Sequence, residues 1–302
     1  MSGYWTDIFS YVNGTIRNRK LGYFIQSDDA AVTAKIPLSG IVQWTPEGWG
    51  DGGQVKWLTA GAAVVRNPIE QLVVVGEFGQ VLVLGSGDRH EETIGQGKKS
   101  PQNRGPLRGV RLIDGLVYAV GMDRQVYVRS KEGQWSEFEP HPATSSSDEK
   151  VVGFEAIDAY AANDIYAVGW DGEIQHFNGN VWRLISSPVN TILVDVCCGG
   201  DGYVYACGRN GVLVRGKGET WETVDLAEFT EDVWNLAWYQ DCLYLATFDN
   251  LFTLNKGELR VVNMGSDQAA TCGRLAVGDG VLWSIGAKDV MAYDGNQWTR
   301  ID

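Results

Sequence analysis

The chain has 302 residues, 44% of them hydrophobic, with 38 glycines against 8 prolines. That is ample material for a packed core with many tight turns, and it excludes a disordered or fibrous polymer. A formal charge of −13, from 25 Lys and Arg against 38 Asp and Glu, excludes a phosphate-tracking nucleic-acid binder, which needs clustered cations.

The opening residues, MSGYWTDIFSYVNG, lack the basic-then-apolar layout of a secretory signal. No run approaches the ~20 apolar residues of a membrane helix, so no membrane partner is expected. The sequon Asn13-Gly14-Thr15 then carries no weight. Cys197, Cys198, Cys207, Cys242 and Cys272 are odd in number and form no Cys-x-x-Cys pair. They read as buried thiols of a reducing compartment, and the expected location is a bacterial cytoplasm.

In chain order, TDIFSYV, LGYFIQ, AAVTAK and GIVQW read as the four strands of a degenerate first unit. The segment PEGWGDGG (46–53) follows as a long loop. From residue 71 onward one phrase recurs six times: a β-rich run, a small residue, a polar turn, and another β-rich run. The small-residue positions are Gly76, Gly121, Gly169, Gly208, Thr247 and Gly286, the last four spaced 39 residues apart and the earlier intervals 45 and 48. The unit from 191 to 225 splits into TILVDVCC, YVYACG, VLVRG and TWETVD, joined by turns rich in Gly, Asn and Asp. A period near forty with four short strands per unit predicts an all-β fold, a β-propeller of four-stranded antiparallel blades. Seven blades account for the chain, with six as the alternative.

The expected blades are about 4–45, 55–94, 107–138, 152–186, 191–225, 232–263 and 271–302, forming one domain over 1–302. The first and last blades each hold four strands of their own, so closure without a shared strand is expected. Trp135, Trp182, Trp221 and Trp298 open outer strands, with Trp44 a weaker match. Indoles repeated at that position predict packing between neighbouring blades.

Ala167–Trp182, AVGWDGEIQHFNGNVW, and more loosely Ala206–Trp221, resemble the short bacterial repeats of Ycf48-like photosystem assembly factors and of BNR (Asp-box) propellers. The resemblance covers about five blades and implies the propeller architecture. The Asp-box aspartates are missing, since residues 214–221 read VRGKGETW. Sialidase-like catalysis therefore does not carry over. Neither does the organelle or export signal of a photosystem factor, so that role is not implied.

No nucleophile elbow, zinc-protease helix or Walker loop is present. GQGKKS (95–100) lacks the first glycine of a phosphate loop and has Lys99 where a metal-binding hydroxyl belongs. His90 and His141 fall in two insertions, 88–105 and 139–150, with Asp88, Glu91, Glu92, Asp148 and Glu149. A metal cage is conceivable there, but mobile polar loops explain the composition more simply. No catalytic residue, cofactor or metal is expected.

The hairpin tips between second and third strands are more informative. Asp28, Asp123, Asp171, Asn210 and Asp249 suit the positive φ of tight turns, so turn chemistry explains most of them. The preceding position holds Ser27, Glu77, Met122, Trp170, Arg209, Phe248 and Ala287. A turn has no structural need for Met, Trp or Phe, and large apolar residues on such tips mark contact surfaces or local caps of the core. The expected partner-binding set is Phe78, Met122, Trp170, Asp171, Arg209, Phe248 and Asp249, with Trp49 from the 46–53 loop.

The reading that follows is a non-catalytic, monomeric, acidic propeller that grips a basic protein with its loop-bearing face. Among such roles, neutralisation of a toxin domain by an immunity protein fits best. The alternatives are a glycan-active or glycan-binding propeller using inner-strand residues (Asp7, Arg111, Glu155, Asp158, Asp195, Asn235, Arg274), or an assembly-factor subunit of a larger complex.

Overall fold

The computed structural model describes residues 7–85, 87–138, 140 and 152–302. The insertion carrying His141, Asp148 and Glu149 lies outside them. Among the described residues, twenty-eight strands form seven four-stranded sheets, and in every sheet the strands are hydrogen-bonded in sequence order. These are the blades of a seven-bladed β-propeller, spanning 9–55, 59–93, 107–137, 154–185, 193–223, 235–261 and 274–300. Among the described residues, no strand is exchanged between the first and last blades, as expected from the sequence.

The chain divides into two compact units. One comprises residues up to Thr59 and from Asp225 onward, with blades 1, 6 and 7; the other, Ala60–Val224, holds blades 2 to 5. In both units burial follows strand position. Second strands such as Gln71–Gly76 and Asp164–Gly169 are buried from their second residue on, because a blade packs on each face of them. Outer strands such as Gln134–Glu137 stay largely exposed.

Between blades 2 and 3 the core joins Val73, Val75, Val81 and Val83 to Leu107, Val117, Ala119 and Tyr127, with Trp135 against it. Trp182 lies in the cluster of blades 3 and 4, Trp221 in that of blades 4 and 5, and Trp298 in that of blades 6 and 7. The repeated outer-strand indole thus packs between blades.

Blade 1 departs from the sequence expectation in two places. AAVTAK is not a strand: Asp29–Thr33 is a one-turn helix, capped by the Asp28 carboxylate accepting from Ala31 N at 2.8 Å. The 46–53 segment is not a loop either, because Gly48–Val55 is the outer strand, with Trp49 paired to Trp44 on the third strand. Trp49 is the corner indole of this blade, reached by a turn shortened to Gly48-Trp49. It stacks on Tyr11 (5.6 Å, 28°) and donates to Ile301 O at 3.2 Å. Phe24 and Trp283 stack nearly parallel at 5.2 Å to seal blade 1 against blade 7. In blade 2, residues 88–93 of the expected insertion form the outer strand, Asp88–Thr93.

The small residue of the repeat has a direct explanation. A Cβ on Gly169 would collide with the carbonyl oxygen of Gly153, and one on Gly286 with that of Thr271, because the segment entering each blade crosses over the end of the second strand. The residue after the small one then serves the next blade. Glu77 O accepts from Leu107 N (2.7 Å), Phe248 O from Cys272 N (2.7 Å), and Ala287 O from Tyr11 N (2.9 Å). Blade 7 therefore hands on to blade 1 by the same contact that links other neighbours.

A buried ion pair adds a second tie between blades 2 and 3. Glu92 receives two hydrogen bonds from Arg129 (2.6 and 2.9 Å) and others from Gly133 N and Trp135 Nε1. Both side chains are at most 4% exposed. Burial alone would raise the Glu92 pKa, but these donors and the Arg129 charge overcome it and hold the carboxyl down at about 2.

Two outcomes are expected. Gly169→Ala should destabilise the fold by about 1–3 kcal/mol through forced displacement of the crossing backbone, read as a lower urea midpoint; an unchanged midpoint would contradict the crossing. Because the folded pKa of Glu92 is depressed, its contribution is fully present above the unfolded value near 4.5 and lost as pH falls toward 2. The Glu92→Gln variant should therefore be less stable at pH 7 by about 3 kcal/mol, and the difference should shrink between pH 5 and pH 3.

Candidate functional site

In each blade the second-to-third hairpin and the entry to the inner strand lie on the same side, as the crossing at Gly169 and Gly286 requires. Within the unit of blades 2 to 5, that side carries four of the expected tips. Phe78 is 42% exposed, and its amide is held by Gln80 Oε1 at 3.2 Å. Asp171 is exposed with φ 59°, and Arg209 is exposed beside Asn210 at φ 55°. Positive φ at Asp123, Asp171 and Asn210 agrees with the turn-chemistry reading of those positions.

Met122 and Trp170 behave differently. Met122 pairs in an isolated bridge with Gly153, and its side chain lies against Gly105 and Gly153, which have no Cβ to obstruct it. Half-buried, it caps the crossing of two loops. Trp170 opens a short 3-10 turn, Trp170–Gly172, and its indole N–H donates to Glu155 Oε1 at 2.7 Å. Glu155 in turn sits 3.8 Å from Arg108 Nε. Glu77, the tip of blade 2, is pushed up by partial burial, against the opposing Arg108 charge. The tips here are thus braced: Arg104 binds Asp123 at 2.7 Å, and Arg124 binds the buried Glu173 at 2.6 and 2.9 Å.

In the unit of blades 1, 6 and 7 the same side carries Phe248 and Asp249. Phe248 is 62% exposed, the most exposed large hydrophobic residue among those described. Its backbone is fixed, since Phe248 O accepts from Cys272 N, and Thr247 N and Oγ1 bond to Asn250 O. Exposed Asp249 follows it in the same tip, and the segment entering blade 6 carries exposed Glu228 and Glu231 with half-buried Asp232. Asn250 Nδ2 reaches Glu231 Oε2 at 3.5 Å, joining tip to entry segment. The arrangement is an apolar projection in an acidic border.

The helical insertion of blade 1 is a feature that the sequence reading missed. Val32 and Ile36 are both 56% exposed on it. The available signal was the Asp28 cap before an alanine-rich turn. Trp49, by contrast, does not belong on this side as a loop residue; it is spent on the packing of blade 1 against blade 7.

The inner-strand residues considered for glycan chemistry serve mainly as ties between blades. Arg111 pairs with Asp158 at 2.9 Å, and Asp158 also accepts from Cys198 N at 2.8 Å. Asn235 Oδ1 accepts from Leu275 N, and Arg274 donates to Trp234 O. His176 bonds to Asp164 at 2.7 Å and stacks on Tyr166. Among the described residues, no group of three or more His, Cys, Asp or Glu is placed to hold a metal ion.

The chain is a seven-bladed β-propeller, a fold that fits protein binding. No protein-family model matches the chain. Its sequence is 43% identical over 299 residues to the Immune protein Tsi7 of Pseudomonas aeruginosa, covering 98% of each chain. The chain belongs to the Tsi7 family of immune proteins. Among solved structures, the WD40 β-propeller domain of Doa1 superposes with a TM-score of 0.67 at 12% identity, over 96% of this chain and 92% of that one. YCF48 from Cyanidioschyzon merolae gives 0.58 at 13% identity, over 80% and 84%. At such identities these two likenesses concern the fold alone.

Proposed function

We propose that the chain is a non-catalytic immunity protein that neutralises a basic toxin domain by binding it through the hairpin tips of its blades. The observation that carries this reading is the 43% identity to an immune protein across 98% of both chains. Acidity supports a basic partner: the formal charge is −13, and the most exposed apolar tip, Phe248, is bordered by Asp249 and Glu231. Opposite charge of that kind speeds association and discourages wrong partners.

The contact residues of this proposal are Phe248 and Asp249 in one unit and Phe78, Asp171 and Arg209 in the other. Trp170 and Met122 shape the surface from beneath. Inhibition by occlusion needs no catalytic group, cofactor or metal. The cytoplasm of the toxin-producing bacterium is the proposed location. The five cysteines, thiols that are buried or half-buried, suit a reducing compartment. Among the described residues, no helix is long and apolar enough to cross a membrane.

The test is protection. A toxin of the same bacterium that arrests growth of a host when expressed should be neutralised by co-expression of the chain, with a monomeric chain and toxin forming a stable complex in size-exclusion chromatography. Growth arrest that persists despite abundant folded chain would refute the reading.

A further inference from the structure

Blade 1 is the exception to the hairpin rule. Blades 2 to 7 connect second and third strands by tight turns of a few residues, whereas blade 1 inserts the stretch 29–38. The insertion holds the helix Asp29–Thr33 and the turn that closes it, in which Lys35 N bonds to Val32 O and Ile36 N to Ala31 O. At its root Asp29 accepts from Ser10 Oγ at 2.7 Å and from Lys288 Nζ at 2.6 Å, and Lys288 Nζ also donates to Phe9 O. The root is polar and locked, while the summit presents Val32 and Ile36, each 56% exposed. Nothing in the blade needs those two side chains. A hairpin turn would connect the same strands without them.

The insertion is continuous with the Phe248 surface in the same unit. Phe248 O accepts from Cys272 N, and the adjoining Thr271 donates from N and Oγ1 to Asp289 at 2.9 and 2.7 Å. Lys288 N donates to Thr271 Oγ1, and its ammonium then reaches Asp29. An unbroken path of hydrogen bonds along one side thus runs from the tip of blade 6, through that of blade 7, to the helix of blade 1. At one end stands Phe248 with its carboxylates, and at the other an apolar projection already held in place, so ordering it costs little on binding.

We infer that this insertion is a docking element for the same basic toxin domain, one that sets which toxin is recognised. Val32 and Ile36 enter a shallow apolar recess on the toxin, while at the Phe248 end Asp249 and Glu231 meet Lys and Arg of the same toxin. The inference rests on the immunity reading above. It assigns selectivity to an element that the other six blades lack, whereas the acidic border supplies general attraction.

The test uses the full-length chain and the toxin against which it protects, in a catalytically inactive form, with Kd measured by calorimetry at two salt concentrations. V32D combined with I36D should weaken binding at least a hundredfold with an unchanged thermal midpoint, and the milder Val32→Ser with Ile36→Ser at least tenfold. Removing the border with E231Q and D249N should instead slow association and flatten its salt dependence. Wild-type binding with full affinity retained by the double aspartate variant would overturn this inference alone. Absence of binding by the wild-type chain would overturn the immunity reading with it.

Discussion

Everything on the tip-bearing side of this molecule depends on one close approach, in which the segment entering each blade passes over the end of a second strand. At Gly169 and Gly286 the crossing leaves no room for a Cβ. The crossing holds the next residue of the hairpin in a fixed position, with its carbonyl bonded to the following blade at Glu77, Phe248 and Ala287. The backbone there is committed, but the side chain is not. A propeller of this kind can vary one side chain per blade without disturbing the handover between blades, and a binding surface can evolve at such positions.

Much of the fold was legible because its determinants are local. The central strands are continuous apolar runs, the turns carry Gly, Asn and Asp where φ is positive, and an indole opens the outer strand. Blade 1 was harder for physical reasons. Its corner tryptophan follows Gly48 directly, so Trp49 was hidden in what resembled a loop. AAVTAK carries no clear period, and its helical state is decided by the Asp28 cap and by the Lys288 contact from 259 residues away. Sequence spacing cannot reveal a partner that distant.

The surface was legible only in part, because exposure at a tip is decided by the neighbouring segment. Phe248 and Trp170 occupy equivalent positions, yet only Phe248 projects fully. Trp170 turns back because Glu155 lies within 2.7 Å of its indole nitrogen. Met122 settles because two glycines leave space beside it. Inner-strand ions such as the half-exposed Arg111 and the buried Asp158, candidates for chemistry in the sequence, prove to be ties from blade to blade.

The proposed recognition is by the tips: an acidic border to attract, and rigid apolar projections to discriminate. The most direct measurement is hydrogen–deuterium exchange of the chain alone and bound to a catalytically inactive form of the toxin against which it protects. The account predicts added protection at residues 28–38, 228–234 and 247–250, with the turns on the other side, such as 240–242 and 256–258, unchanged. Protection confined to those opposite turns, with 28–38 and 247–250 exchanging as in the free chain, would contradict it.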